Sequence, residues 1–260
     1  MPFPRRFLPF LSLLLQLCWL PYPVDSTIRL PTFVADHMVL QRAPQQARLW
    51  GWTTMSPGGG ITASIGGTTI GRTTIVQKQH HSTTDDFDEH YWEINLDPQP
   101  PSVDVVLVLA EVPAAEGAND AGTPLSHEIS LYDVAFGDVY LCSGQSNMEM
   151  SVVDVFAADD EIEDSQYYPH LRLATVQRTI ANTTQDDVVH KGPQAWSRSG
   201  PTSVAGGSFG YFSAACYFAG RDVYKALDGM VPIGLVASVS VSTTSARRVL
   251  IAVHTCALTT

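Results

Sequence analysis

An apolar run that stops at a glycine constrains this chain more than any other stretch: residues 136–150 read FGDVYLCSGQSNMEM. Residues 139–142 have the side chains of a β-strand, and the serine and glycine that end the run at Gly144 favour a tight turn. Residues 147–150 are compatible with a helix. This order of strand, sharp turn and helix predicts that Ser146 lies at the carboxyl end of a strand, beside free backbone N–H groups.

Two interpretations of Ser146 follow from this pattern. A hydroxyl beside free N–H groups is the layout of a serine esterase, in which nucleophile and oxyanion donors share one loop. In the alternative, Ser146 only caps a helix, because Ser146 and Glu149 match the S-x-x-E capping box. The stretch does not match the G-x-S-x-G elbow, since Met148 stands where the second glycine belongs.

Several stretches resemble one known family. Residues 137–150, GDVYLCSGQSNMEM, resemble the nucleophile block of the sialate O-acetylesterases, which are SGNH hydrolases that carry their serine in a G-Q-S-N-M sequence. Residues 35–44 (ADHMVLQRAP) followed by 47–52 (ARLWGW) resemble the family's amino-terminal β-region. Residues 213–224 (SAACYFAGRDVY) and 231–238 (VPIGLVAS) also match, so the resemblance covers roughly residues 28–238.

The resemblance implies a serine esterase that removes O-acetyl groups from sialic acids. Ser146 is then the catalytic nucleophile, and Gly144, Gln145 and Asn147 shape the nucleophile loop and its oxyanion site. The implied partner is an O-acetylated sialic acid or sialoglycan, and no cofactor or metal is implied. The net charge of −11 argues against nucleic acid as a partner, because a polyanion is repelled.

The resemblance ends after Ser238. The family continues with a W-G-G-T block, whereas residues 239–244 read VSVSTT, and the family's later Asp-x-x-His, which supplies the base, is absent. We therefore expect a truncated chain with a divergent tail at 239–260 that is nearly inert, or a non-catalytic secreted carbohydrate-binding or decoy form. Asp187-x-x-His190 matches the Asp-x-x-His pattern literally, but it lies in a polar loop region and is not expected to replace it.

The amino terminus predicts export. Residues 1–26 have the pattern of a signal peptide, with Arg5 and Arg6 before an apolar stretch and small residues at the predicted cleavage site. We expect an extracellular or lysosomal protein with no membrane span after signal removal. Asn182 begins an N-T-T sequon, which predicts a glycosylated surface position.

The cysteines leave a disulfide open. Cys18 lies in the signal peptide, so Cys142, Cys216 and Cys256 remain, and an odd number cannot all pair within one chain. Cys142 and Cys216 either form a disulfide, as an exported protein permits, or remain two buried thiols. No cysteine or histidine cluster indicates zinc.

The predicted fold has two parts. Residues 27–134 read as seven short strands separated by turn residues, which predicts a β-sandwich. Residues 135–238 alternate strand, helix, strand, helix and strand, which predicts a partial α/β domain; by resemblance this is a flavodoxin-like SGNH hydrolase domain. Its predicted elements after Ser146 are a helix within 152–162, a strand at 171–176, an amphipathic helix at 210–227 capped by Ser208, and a buried strand at 231–238.

Overall fold

The computed structural model describes residues 28–76, 89–114, 127–177, 179, 185, 187–192, 194–206 and 212–239. The predicted signal peptide at 1–26, the sequon at Asn182 and all of the predicted tail at 239–260 except Val239 lie outside these residues. Within the described part of the chain, no helix is both long enough and apolar enough to cross a lipid bilayer.

The described residues form eleven strands, three α-helices and three short 3₁₀ helices. The strands are β1 (Ile28–Arg29), β2 (Val39–Gln41), β3 (Arg48–Thr53), β4 (Gly60–Ile65), β5 (Thr68–Thr74), β6 (His90–Asn95), β7 (Ser102–Val112), β8 (Glu128–Gly144), β9 (Leu171–Thr175), β10 (Ser197–Arg198) and β11 (Ile233–Val239). The α-helices are α1 (Ala158–Asp164), α2 (Pro201–Val204) and α3 (Ala214–Ala226). The 3₁₀ helices are Ser146–Glu149, Val152–Asp154 and Ser165–Tyr167.

The amino-terminal half consists mainly of antiparallel sheet, with the short β2 paired in parallel to β8. β1, β3 and β6 form a three-stranded sheet, while β5, β4, β7 and the first half of β8 pair in that order in a second, larger sheet. Their sequences alternate between buried and more exposed side chains, as strands with one face on a core do. Both sheets contribute to one hydrophobic core, which includes Leu49, Ile61, Trp92, Ile94, Leu107 and Leu109.

β8 is a single strand of 17 residues that runs through both halves of the molecule. It pairs antiparallel with β7 as far as Phe136 and then parallel with β11 from Asp138 onward. The sequence predicts two separate strands, at 127–134 and 139–142, and that separation is wrong. The strand continues because Phe136 is buried and Gly137 makes room for its neighbour, since a Cβ at Gly137 would lie 2.0 Å from the Pro232 carbonyl oxygen.

The second half is an α/β layer built on parallel strands. β11 lies between β8 and β9 and pairs in parallel with both, and β10 adds an antiparallel edge beyond β9. α3 packs on one face, where a Cβ at Gly220 would lie 2.4 Å from the Leu235 side chain. Val39 of β2, from the amino-terminal half, and Trp196, from the loop before β10, lie against Gly234 on the other face. Covered on both sides, β11 requires the apolar sequence that it has.

The helices differ from their predictions in where they begin and end. α3 begins at Ala214, with the Ser213 side chain as its cap; it accepts a hydrogen bond of 3.2 Å from the Cys216 N–H. The predicted start at residue 210 is wrong, and the predicted cap Ser208 lies outside the described residues. The predicted helix within 152–162 is broken into a 3₁₀ turn and α1, because Ala157 adopts a left-handed backbone with φ of 56°. The strands predicted at 171–176 and 231–238 are confirmed to within two residues at each end.

Candidate active site

Ser146 lies at the carboxyl end of β8, as the sequence predicts. β8 ends at Gly144, and Ser146 is the first residue of the following helix, which is a 3₁₀ helix of four residues. The Ser146 side chain is exposed, and its φ of 56° is in the left-handed region. Residues other than glycine rarely adopt this conformation, which costs about 1–3 kcal/mol and tends to occur at functional sites.

Gly144 allows the chain to turn tightly before Ser146. A Cβ at this position would lie 2.7 Å from Met148 Cγ and 3.2 Å from Met148 Cβ. Met148 occupies the place of the second glycine in the G-x-S-x-G elbow, and the missing Cβ of Gly144 accommodates its larger side chain. The stretch therefore needs a glycine at position 144, because the Met148 side chain packs against it. We call residues 144–149 the Ser146 turn.

Two backbone N–H groups of the Ser146 turn have no acceptor among the described residues. They belong to Ser146 and Asn147, the first two residues of the 3₁₀ helix, which precede its internal hydrogen bonds. The Met148 N–H donates to the Gln145 carbonyl at 3.2 Å, and the Met150 N–H to the Asn147 carbonyl at 3.3 Å. An exposed hydroxyl thus lies next to two available N–H donors.

The capping-box interpretation of Ser146 is wrong. Gln145, not Ser146, occupies the capping position of the 3₁₀ helix, and no side chain caps that helix. Ser146 is already inside the helix, so its hydroxyl is not placed to accept from the third N–H as a cap does. Within the part of the chain that the structure describes, the Ser146 hydroxyl makes no hydrogen bond.

A disulfide joins Cys142 to Cys216, which decides between the two alternatives left by the sequence. The bond links the last residues of β8 to the first turn of α3, with Cα atoms 5.8 Å apart. The Ala214 N–H also donates to the Met150 carbonyl at 2.7 Å, and Ser151 forms a β-bridge with Ser213. The start of α3 is therefore attached to the chain on both sides of the Ser146 turn.

The Asp187-x-x-His190 match does not form a catalytic pair. Asp187 accepts hydrogen bonds from the Thr32 N–H at 2.7 Å and the Thr32 hydroxyl at 2.6 Å. Its carboxylate therefore binds the loop that contains Thr32. His190 forms a bridge with Val176, on the side of β9 that faces away from β11. That position is three strand spacings from β8, or roughly 14 Å, which is too far for proton transfer from Ser146.

A cluster of charged residues surrounds Asp133, which sequence reasoning missed. Arg198 donates from Nε to one carboxylate oxygen at 2.9 Å and from Nη2 to the other at 2.6 Å, and the fully buried Arg172 adds a bond of 2.8 Å. His37 Nδ1 lies 2.5 Å from the same carboxylate, and Asp104 accepts from Arg198 at 2.8 Å. We call these five residues the junction cluster, because they join the amino-terminal half to β9 and β10.

The junction cluster keeps Asp133 ionised. Burial alone raises the pKa of this carboxyl group, but the hydrogen bonds from Arg198 and His37 and the charge of Arg172 outweigh burial and hold the pKa well below its usual range. No local sequence signal marks the cluster, because Arg172 and His37 are 39 and 96 residues from Asp133. Asp133 lies about 35 Å along β8 from the Ser146 turn. His37, which contacts Asp133, is therefore too far away to act as the base for Ser146.

No group of three or more potential metal ligands occurs among the described residues. His170 lies near the junction cluster, and burial, followed by the charge of Arg172, lowers the pKa of its imidazole. No hydrogen bond joins any histidine of the described ranges to the Ser146 hydroxyl. The described residues therefore contain a candidate nucleophile and two N–H donors, but no base that contacts the Ser146 hydroxyl.

Comparison with solved structures defines the class of fold. The chain is similar to a carbohydrate acetylesterase from Xanthomonas citri, with a TM-score of 0.61 and 24% sequence identity over 84% of this chain and 41% of that one. Likeness at this identity establishes the fold alone, a mixed sheet with helices.

Curated relatives define the family resemblance more closely. The chain is 34% identical over 224 residues to the sialate O-acetylesterase of Pongo abelii and 32% identical over 224 residues to that of Homo sapiens. The match to the Mus musculus sialate O-acetylesterase is 32% over 210 residues. No family model matches the chain. The chain is thus a relative of the sialate O-acetylesterases, which confirms the resemblance seen in its motifs, and it spans 38% of the length of the first two.

Proposed function

We propose that this chain is the nucleophile-bearing part of a serine esterase that removes O-acetyl groups from sialic acids. The observation that carries the proposal is Ser146 itself, an exposed hydroxyl on a left-handed backbone beside two N–H groups without described acceptors. The relatives named sialate O-acetylesterase and the similar fold of a carbohydrate acetylesterase support the substrate class.

In the proposed reaction, Ser146 Oγ attacks the acetyl carbonyl carbon, and the carbonyl oxygen becomes an oxyanion that accepts from the Ser146 and Asn147 N–H groups. The bond from the acetyl carbon to the sugar oxygen breaks, and the proton lost by the serine passes through a base to that oxygen. Water then attacks the acetyl-serine and releases acetate. Gly144 and Gln145 shape the turn, and the base comes from outside the described residues.

The same proposal assigns the parts of the fold. Residues 27–134 form a β-sandwich, and residues 135–238 form a partial SGNH hydrolase domain of flavodoxin-like type that carries the Ser146 turn. The shared core of the two antiparallel sheets supports the first assignment. The parallel order of β8, β11 and β9, with Ser146 just beyond the carboxyl end of β8, supports the second.

We also propose that the protein acts outside the cell or in the lysosome. The disulfide between Cys142 and Cys216 supports this, since such bonds persist in oxidising compartments and are rare in the cytosol. The signal-like sequence at 1–26 and the sequon at Asn182 agree with the same route.

A non-catalytic carbohydrate-binding form is the second candidate. It is favoured by one observation: no base among the described residues contacts the Ser146 hydroxyl. A serine hydroxyl is a poor nucleophile at neutral pH until a base accepts its proton. In this form the chain binds O-acetylated sialoglycans and releases no acetate.

Acetate release from an O-acetylated sialic acid by the purified chain tests both candidates. Ser146→Ala removes the nucleophile, and Ser143→Ala is the matched control because Ser143 is another exposed serine, three residues earlier at the end of β8. The esterase proposal expects release by the wild type and the control, and background release by Ser146→Ala. Equal release by wild type and Ser146→Ala would exclude the serine mechanism. Saturable sialoglycan binding with no release identifies the second candidate.

A further inference from the structure

We infer that the disulfide between Cys142 and Cys216 positions the Ser146 turn, so that the order of the turn depends on that bond being oxidised. The disulfide is a feature of the chain that the reaction chemistry does not use. Cys142 lies four residues before Ser146 and two before the end of β8. The link to catalysis rests on the proposed function, whereas the effect on the turn does not.

The Ser146 turn is exposed and contacts the rest of the molecule mainly at the start of α3 and the end of β8. Residues 143–147 are all exposed, and they lie at and just beyond the end of a strand whose middle is buried. Regions with few buried contacts open locally at low free energy. The hydrogen bonds from Met148 to Gln145 and from Met150 to Asn147 are internal to the turn region and set its shape. The pairing of Gly144 with Val239 of β11 attaches the first residue of the turn to the sheet.

The other end of the disulfide is firmly anchored. Cys216 is 1% exposed, and it lies in the first turn of α3, where the Ser213 hydroxyl accepts its N–H. The next residue, Tyr217, is fully buried, and Gly220 brings the same helix against Leu235 of β11. The bond therefore connects an exposed strand end to one of the most buried parts of the α/β layer.

The strained backbone of Ser146 makes such an anchor necessary. A left-handed serine persists only where its surroundings fix the conformation. On the amino-terminal side of Ser146, the chain is held by the disulfide and by the parallel pairing of β8 with β11, which extends to Gly144. On the carboxyl-terminal side, the Ala214 N–H donates a hydrogen bond to the Met150 carbonyl. The disulfide and this hydrogen bond both attach the turn to the start of α3. Without the covalent one, the turn is held to α3 mainly from one side and can relax toward an ordinary φ.

Amide hydrogen exchange measured by mass spectrometry tests the inference on the full chain. The variant Cys142→Ala/Cys216→Ala removes the bond with little change in volume, and treatment of the wild type with dithiothreitol opens it by oxidising the dithiol and leaving two protein thiols. We expect peptides within residues 138–150 to exchange at least tenfold faster in both cases. A reference peptide from β4 and β5, residues 60–74, is expected to keep its rate.

Two controls separate positioning from general stabilisation. Ser213→Ala weakens the same helix start and leaves the disulfide intact, so it is expected to change exchange at 138–150 much less than loss of the bond does. Dithiothreitol added to the double variant is expected to change nothing further. The inference is overturned if exchange at 138–150 is unchanged on reduction of the wild type, or if it rises equally at 60–74. Reduction of the wild type gives this answer even if the double variant does not fold.

The catalytic consequence has its own outcome. On the proposed function, reduction is expected to lower kcat for acetate release about tenfold with little change in KM, because the nucleophile is displaced while the rest of the substrate site remains. Faster exchange with no acetate release in either redox state upholds the inference and counts against the proposed esterase. Release that depends on Ser146 but is unaffected by reduction, with unchanged exchange, upholds the esterase and overturns the inference.

Discussion

Two residues with a left-handed backbone, one within β8 and one just beyond its carboxyl end, have opposite surroundings. Asp133, in the half that pairs with β7, has φ of 54°, and Ser146, just beyond the half that pairs with β11, has φ of 56°. Three side chains bind the Asp133 carboxylate, whereas the exposed Ser146 hydroxyl makes no bond to any described residue. The chain therefore adopts a left-handed backbone both within β8 and just beyond it. At Asp133 the side chain is bonded to its neighbours, and at Ser146 it is not bonded to any described residue.

The difference indicates that Asp133 has a structural role and that Ser146 has a chemical one. At Asp133, the ion pairs with Arg172 and Arg198 offset the strain, and they fasten the amino-terminal half to the α/β layer. His37 and Asp104, also in the junction cluster, share the left-handed backbone. At Ser146 no such bond offsets the strain, which leaves a hydroxyl available to a substrate. Strain without a local compensating interaction is the pattern expected of a functional position.

The largest expected effect comes from Asp133→Asn. Asparagine tolerates the left-handed backbone, so the substitution removes the charge and keeps the strain. Loss of the charge leaves the buried Arg172 without its carboxylate, and such broken buried pairs cost about 3–5 kcal/mol. Urea unfolding is expected to show a loss of this size.

Asp104→Asn is the matched control for that measurement. Asp104 binds the same Arg198, but its side chain is 67% exposed, and exposed ion pairs contribute at most about 1 kcal/mol. If both variants lose the same small amount, the junction cluster is not a structural anchor, and the contrast with Ser146 disappears.

A change in pH is expected to alter the free energy of unfolding less than Asp133→Asn does. Because the pKa of Asp133 is lowered in the folded state, the unfolded chain takes up its proton first as pH falls. The stability that Asp133 contributes is therefore present above about pH 4 and is lost progressively as the pH falls toward the folded pKa.

Comparison of the wild type with Asp133→Asn isolates this contribution. Unfolding free energies measured between about pH 6 and pH 3 are expected to fall more steeply for the wild type, so that the two proteins converge in acid. Parallel curves would mean that Asp133 does not supply the pH dependence of the junction.

The Ser146 turn could be predicted from sequence because its signals are local. The apolar residues before Gly144 and the small polar residues after it lie within a few positions of each other. The extent of β8 could not be predicted, because Gly137 looks like a break, although it is needed for close approach to Pro232. The strands at 171–175 and 233–239 and the main helix between them could be predicted from the same kind of local pattern.

The junction cluster and the disulfide could not be derived from sequence. Arg172 and His37 meet Asp133 only after the two halves have packed, and no spacing along the chain relates them. The pairing of Cys142 with Cys216 remained open because three cysteines follow the predicted signal peptide. The start of α3 was misplaced because polar residues upstream offered more than one cap, and tertiary contacts selected Ser213.

The most direct test of the central claim compares Ser146→Gly with Ser146→Ala in urea unfolding. Both variants lack the hydroxyl, and glycine elsewhere in an element is less stable than alanine by about 0.5–1 kcal/mol. At a left-handed position the order reverses, because glycine has no Cβ to strain. We predict that Ser146→Gly is more stable than Ser146→Ala by about 1 kcal/mol. An equal or greater stability for Ser146→Ala would contradict the claim that this serine is held in a strained backbone to present its hydroxyl.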